Sequence, residues 1–309
     1  NPLITMLPKV RGRYTECVDM SPFTWFRVGG MAEVIFRPAD VEDLSVFLEN
    51  NNEKVPVTVI GATSNLLIRD GGIPGVVIKL GKPFSGIVFS EKTLRIGSAV
   101  LNSQAAKAAL NAKRRGLEFL SGIPGTIGGG LRMNAGSYGT EFKDVLIEAE
   151  VIDSRGQLHV IAANELGMGY RHCEIDENWI FLSALFKAPS SDLVDIKVKM
   201  EAIQRQREKS QPIKEKTGGS TFANPTGYKA WKLIDDAGCR GKYFGAAKIS
   251  EKHCNFLINT GNAKAHDLET LGEFVRQRVL ETSGIKLNWE IRRIGKTEKD
   301  ISPYLGEKK

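Results

Sequence analysis

The sequence predicts an α+β fold divided among two or three domains, and three observations carry that expectation. A length of 309 residues exceeds what a single small core organises. Short Val-rich apolar runs alternate along the chain with stretches of helical period. A segment rich in Pro, Gly and charge, SQPIKEKTGG at 210–219, reads as a linker ahead of the last third. The predicted divisions are 1–80, 81–209 and 210–296, with a polar tail at 297–309. Hydrophobic content of 41% and charged content of 26% suit a soluble globular protein. No apolar run reaches membrane-spanning length. The start, NPLITMLPKVRGRYTEC, lacks both an initiator Met and the apolar stretch of a secretion signal, as expected of a trimmed, cytoplasmic chain.

AEVIFRP (32–38) predicts a strand, and Asp40 the cap of a helix over VEDLSVFLENN with acids in its first turn. VPVTVIG (55–61) predicts a buried strand. With LLIRD and VVIKL, across tight turns, it predicts a small three-stranded sheet carrying one helix. TLRIGSA (93–99) predicts a strand, and NSQAAKAALNAKRR a helix stopped by Gly116, with the cations of AKRRG at its negative end. VLIEAEVID, SRGQ and LHVIAA predict a hairpin, and WIFLSALFKA a further strand, while SDLVDIKVKMEAIQRQREK mixes strand and helix signals.

Beyond the linker, YKAWKLIDDAG predicts a short helix ended by Gly238, and HCNFLINTG a strand. DLETLGEFVRQRVLETSG predicts an amphipathic helix with Leu268, Leu271, Val275 and Val279 on one stripe. IKLNWEIRRIG (285–295) alternates, with Ile285, Leu287, Trp289 and Ile291 on one face and Lys286, Asn288, Glu290 and Arg292 on the other.

A net charge of +7 and a pI near 9.1 favour anionic partners. The bases are dispersed, so a groove for phosphate-bearing small molecules fits better than a nucleic-acid surface. Cys17, Cys173, Cys239 and Cys254 form no C-x-x-C pair and read as reduced, buried or inert thiols. Cys239, His253 and Cys254 match no common zinc spacing, so no metal is expected.

Two stretches carry candidate chemistry. VIGATSNLLIRDGG offers Gly61, Thr63, Ser64 and Asn65 at a turn after an apolar strand, where backbone N–H groups and hydroxyls can receive an anion; an ordinary hairpin turn is the alternative. SGIPGTIGGGLRMNAGSYG holds Gly122, Gly125, Gly128, Gly129 and Gly130 within nine residues. Gly125, Thr126, Ile127 and Gly128 could start a helix whose free N–H groups face a phosphate. Neither a G-K-[ST] sequence nor a G-x-G-x-x-G fingerprint is present. Two such nests suggest a ligand with a long phosphate-bearing backbone, such as a flavin dinucleotide. A third stretch, TGGSTFANP, is a near miss to the hydrolase elbow, because Gly218-x-Ser220 is followed by Phe222 where glycine is required.

VIGATSNLLIRDGGIPGVVI, GLEFLSGIPGTIGGGLRMNAGSYG, GYRHCEI, GGSTFANP and KLNWEIRRIG together resemble the UDP-N-acetylenolpyruvoylglucosamine reductase (MurB) family, in order from about Phe23 to Gly295. The short 170–220 connection resembles the subclass without an extra tyrosine-bearing loop. The resemblance implies a two-part FAD-binding domain of the vanillyl-alcohol-oxidase (PCMH) type at 1–80 and 81–209. It implies a smaller α+β substrate-binding domain at 210–296. It also implies FAD as cofactor, NADPH as co-substrate and a UDP-sugar substrate; the oligomeric state is not readable from the sequence, and a monomer is favoured. Implied FAD contacts are Gly61, Thr63, Ser64, Asn65, Leu66, Gly122, Gly125, Thr126, Ile127, Gly128, Gly129, Asn134 and Gly136.

The same resemblance implies that Ser220 gives the proton that completes reduction of the enolpyruvyl group, that Arg171 stabilises the substrate's carboxylate and developing enolate, and that Glu290 orients and polarises. Without it, Ser220 reads as a turn hydroxyl and Arg171 as a loop arginine. The alternation permits Glu290 a site role but also suits an exposed edge strand. Asn224 matches a substrate-contacting asparagine, while Ala223 stands where the family commonly has lysine. Lys209 precedes Ser210, which occupies another common lysine position, and Tyr170 is a nucleotide contact or a core residue. Two other readings are a flavin oxidase of the same fold and a non-catalytic nucleotide- or nucleic-acid-binding protein. GATSN holds no histidine for covalent flavin attachment, which disfavours the first.

Overall fold

The computed structural model describes residues 3–51 and 53–298, so most of the expected polar tail lies outside the described residues. The chain forms two compact units. Unit 1 comprises 1–16, 34–62 and 75–207; unit 2 comprises 17–33, 63–74 and 208–309. The linear division expected from sequence is therefore interrupted, because two early segments join the C-terminal unit.

Unit 1 is built on two separate apolar cores. In the first, Val34, Phe36, Leu44, Phe47, Val76 and Ile78 are buried together. The helix Val41–Asn51 covers this core, and the Asp40 carboxylate accepts the Asp43 N–H at 2.9 Å, as its capping role predicts. The sheet here runs Arg13–Asp19, Met31–Arg37, Ile73–Lys79, Val57–Ile60. Val57–Ile60 pairs in parallel with Ile73–Lys79 and forms the edge, with Val59 40% exposed, so the expected buried strand is half-open. Leu66–Ile68, expected between them, belongs to unit 2. A parallel pair needs a crossover, and the excursion through 63–74 provides it.

The second core lies on an antiparallel sheet ordered Leu158–Ala162, Leu146–Ile152, Ile180–Lys187, Thr93–Gly97, Ile87–Phe89. The predicted hairpin is present, with Ile152 opposite Leu158 and Glu148 opposite Ala162. The helix Asn102–Asn111 ends five residues before Gly116. Lys113 takes the left-handed conformation (φ 56°) in glycine's stead. The N–H groups of Lys113 and Arg114 then close the helix on the carbonyls of Leu110 and Ala109, at 2.9 and 2.8 Å. The expected cation-to-dipole contact is replaced by Arg114 donating to the carbonyls of Ser90, Glu91 and Ala188. The ambiguous stretch after 190 is one helix, Leu193–Ser210, so it takes in the start of the expected linker.

Unit 2 packs the helices Ala230–Asp236 and Ala265–Ser283 with a three-stranded sheet, Tyr243–Phe244, Ala247–Ile249, Leu257–Asn259. The predicted stripe of Leu268, Leu271, Val275 and Val279 is buried beside Phe26, Phe222, Leu287 and Ile291. Leu66–Ile68 pairs in parallel with Arg292–Ile294. Only those three residues of 285–295 form a ladder, yet the predicted alternation holds: Leu287 and Ile291 are buried, and Lys286 and Asn288 exposed. Glu269 of the long helix fixes this pair by accepting from Arg69 at 2.9 and 3.0 Å and from Arg293 at 3.0 Å. These bonds, Arg69's first, hold the Glu269 carboxyl below its usual range.

Among the described residues no helix is long and apolar enough to cross a membrane, and no three His, Cys, Asp or Glu side chains gather as a metal site. All four cysteines are free thiols, with Cys173, Cys239 and Cys254 buried and Cys17 exposed. Burial pushes the Cys254 thiol up to about 11, leaving it protonated at neutral pH.

Candidate functional site

In unit 1 the two glycine stretches meet. A Cβ on Gly61 would lie 2.5 Å from Thr126 Oγ1, so the end of the Val57–Ile60 strand abuts the start of the short helix Ile127–Arg132. Only glycine permits that approach. Thr126 caps the helix, its hydroxyl accepting the Gly129 N–H at 3.3 Å. The helix start matches the sequence expectation, but its N–H groups are not free. Ile127 donates to Val100 O and Gly128 to Ser98 O, both at 2.9 Å. These bonds splice the glycine-rich loop onto the turn at 98–102, and the Asn102 N–H donates to Gly125 O at 2.9 Å.

That turn carries a feature the sequence reading missed. Ser98 Oγ and both amide atoms of Asn102 are buried without a partner in the protein. Leaving such atoms unsatisfied costs about 1–3 kcal/mol each, so they call for a polar group from outside the chain. The Ser and Asn flanking the three apolar residues of SAVLN were the available signal. Across the loop, a Cβ on Gly129 would meet only Thr126 Oγ1, at 3.5 Å, which leaves its outer side open.

Other predicted contacts are committed to the framework. Asn134 is fully buried, donating to Glu141 at 3.2 Å and Gly169 O at 2.8 Å and accepting from the Lys143 N–H at 3.0 Å. A Cβ on Gly122 would strike Tyr138 and Ile203, each at 2.8 Å. Gly136 lies against Glu141 and receives Arg171 Nη2 on its carbonyl at 3.3 Å. Arg171 stands at the tip of a tight turn closed by reciprocal bonds between Gly169 and His172, at 3.0 and 3.2 Å. Its φ of 52° is unusual for a residue with a side chain. The guanidinium lies 4.9 Å from the Tyr170 ring centroid and 3.9 Å from Glu141. Tyr170 itself is half-exposed, which removes the core reading.

Unit 2 assembles a backbone lattice around Ser220. Ser220 bridges Phe256, and Phe222 bridges Trp289. The Thr221 N–H donates to Asn255 O at 2.7 Å, and Thr221 O accepts the Glu290 N–H at 2.8 Å. Asn65 donates through Nδ2 to Glu290 O at 3.1 Å and accepts the Arg292 N–H at 3.0 Å. Ser220, Glu290 and Asn65 thus share one hydrogen-bonded scaffold. Thr63 is buried, its hydroxyl donating to Phe23 O at 2.8 Å, and Ser64 is half-buried beside it. Leu66 opens the strand paired with Arg292. Asn224 Oδ1 accepts the Ala230 N–H at 2.9 Å, at the start of the Ala230–Asp236 helix. Lys209 is exposed in the last turn of Leu193–Ser210.

Residues 32–162 match the family described as FAD binding domain, and residues 211–294 that described as UDP-N-acetylenolpyruvoylglucosamine reductase, C-terminal domain. The UDP-N-acetylenolpyruvoylglucosamine reductase of Paramagnetospirillum magneticum is 57% identical over 290 residues, 94% of each chain. That of Rhodospirillum rubrum is 52% identical, covering 95% of this chain and 94% of its own. The crystal structure of UDP-N-acetylenolpyruvylglucosamine reductase (MurB) from Thermus caldophilus is similar with a TM-score of 0.79 at 33% identity, over 92% of this chain and 99% of that one.

Proposed function

Since the chain belongs to the UDP-N-acetylenolpyruvoylglucosamine reductase family, we propose that it reduces the enolpyruvyl group of that UDP-sugar to give UDP-N-acetylmuramate for peptidoglycan synthesis. It uses FAD and NADPH and works as a monomer in the cytoplasm. The observation that carries this reading is identity of 57% running through both the FAD-binding and the C-terminal domain.

The residues of unit 1 fit a flavin dinucleotide. The Gly61–Thr126 approach brings two small-residue stretches into one cradle, and Ser98 and Asn102 hold uncommitted polar atoms beside it. FAD held there would supply the redox chemistry, the passage of hydride equivalents from NADPH to the terminal methylene carbon of the enolpyruvyl group. Charge is left on the adjacent carbon and its carboxylate. Arg171 holds that carboxylate as a planar cation with paired donors. Ser220 Oγ–H gives its proton to the adjacent carbon. A serine is a weak acid in water, but a carbanion-like carbon is a strong enough base to take that proton. Water then restores the serine. Glu290 carries a carboxylate on the scaffold that holds Ser220, where it orients the substrate. Asn224, Tyr170 and Lys209 take substrate contacts. Ser220 needs no histidine, because it gives a proton and does not attack.

The wild-type protein tests this directly. Its visible spectrum, recorded anaerobically, is expected to bleach with one equivalent of NADPH and to return on addition of the enolpyruvyl UDP-sugar. A protein that bleaches and stays bleached would remove the substrate assignment, and a colourless protein that takes up no FAD would remove the whole reading.

The cradle has its own test. Gly61→Ala forces Thr126 to rotate, giving up its cap and shifting the glycine-rich loop. Overpacking of this kind is worth about 1–3 kcal/mol, so FAD affinity is expected to fall roughly tenfold or more. Titration of the apoprotein with FAD measures it. Unchanged affinity would mean that the Gly61–Thr126 joint does not shape the flavin site.

A further inference from the structure

The geometry points to Asn255 as the positioning residue of Ser220, an inference that rests on the proton-donor role proposed above for that serine. Asn255 is 4% exposed, so no bulk water competes for its amide. The side chain brackets a single residue: Oδ1 accepts the Phe222 N–H at 3.0 Å, and Nδ2 donates to the Phe222 carbonyl at 2.8 Å. Its own carbonyl accepts the Thr221 N–H at 2.7 Å, and the next residue, Phe256, bridges Ser220. Three hydrogen bonds from one residue therefore fix 221–222, and the adjoining bridge fixes 220.

Ser220 needs this hold because of what precedes it. Gly219 has a φ of 83°, and a Cβ built on it would meet nothing within 4 Å. Glycine leaves the backbone free to turn, so the direction of the Ser220 side chain is set from its C-terminal side, where Asn255 acts. Asn255 is itself held in place. Its N–H donates to His253 Nδ1 at 3.3 Å, Ser250 Oγ accepts the N–H groups of Lys252 and His253 at 3.2 Å each, and the His253 ring packs edge-on to Phe256. A donor and an acceptor side by side at the end of a two-carbon reach are what asparagine alone provides. Aspartate would set a carboxylate oxygen against the Phe222 carbonyl.

The test uses the FAD-loaded enzyme in rapid mixing, with Asn255→Ala, Asn255→Asp, Ser220→Ala and the Ser220→Ala/Asn255→Ala double variant. Asn255→Ala is expected to leave flavin reduction by NADPH unchanged and to slow flavin reoxidation by the enolpyruvyl UDP-sugar about 10²-fold, the scale of an ångström-sized misplacement. The solvent deuterium effect on that second step is expected to rise. In the Ser220→Ala background the same change is expected to add little, since both act through one hydroxyl. Asn255→Asp, matched in volume, carries the test should the alanine variant fail to fold, and is expected to slow the same step. Equal slowing of both half-reactions, no slowing, or full additivity with Ser220→Ala would overturn the inference. Slowing by Asn255→Ala with none by Ser220→Ala would instead overturn the role of the serine.

Discussion

Ser220→Ala is expected to leave the reduction of flavin by NADPH nearly intact while slowing product formation by about 10²–10⁴-fold, the usual worth of a positioned proton donor. Flavin reduction needs no proton from the protein at the substrate carbon, so only the second half-reaction feels the loss. The substitution removes one oxygen from a residue whose backbone is already fixed by the Phe256 bridge and whose neighbours are tied to Asn255 and Glu290. Stability and FAD content are therefore expected to stay at the wild-type level. In free-energy language, equal loss in kcat and kcat/KM for the UDP-sugar would mark an interaction made only in the transition state. Substrate binding would persist through the residues that grip the nucleotide and the carboxylate. Rapid mixing of pre-reduced enzyme with substrate reads the step alone. If both half-reactions slow together, Ser220 shapes the domain and the proton has another source.

Much of the site was legible because its residue types are rare in combination. Glycines packed into 122–130, and again at 218–219, mark backbone that must approach something closely, and Gly61 against Thr126 and Gly218 against Phe26 bear this out. The burial alternation around Glu290 was equally readable, since Leu287 and Ile291 do enter the core. Pairing was not readable. Leu66–Ile68 joins Arg292–Ile294, more than two hundred residues away, and no local pattern encodes a partner at that distance. The same fact explains why three short strands between 55 and 80 do not form one sheet. Where a helix stops was misread because Lys113 adopts a conformation that glycine usually supplies. The free N–H groups expected at Ile127 and Gly128 are consumed by carbonyls of the 98–100 turn, which only tertiary packing brings there. Asn255 could have been suspected: an amide inside CNFLIN must find partners once that run is buried.

Arg171→Ala is expected to lower the rate of substrate reduction by about 10²–10³-fold, the scale of losing one preorganised electrostatic group. The structure explains why this arginine is preorganised. Holding a side-chain-bearing residue at φ 52° costs roughly 1–2 kcal/mol, and the reciprocal bonds between Gly169 and His172 support that strain. Gly136 O, Glu141 and the Tyr170 ring then restrict the guanidinium from three sides. Glu141 does not cancel the charge locally, because Lys143 Nζ also lies 3.0 Å from it. Lysine at 171 keeps that charge but loses the planar fork that Gly136 and a carboxylate engage at once. Arg171→Lys is therefore expected to recover only part of the rate. Measuring both variants in the two half-reactions separates the readings: a loss confined to substrate reduction supports charge stabilisation, whereas a parallel loss of FAD content and stability would make the turn a framework element.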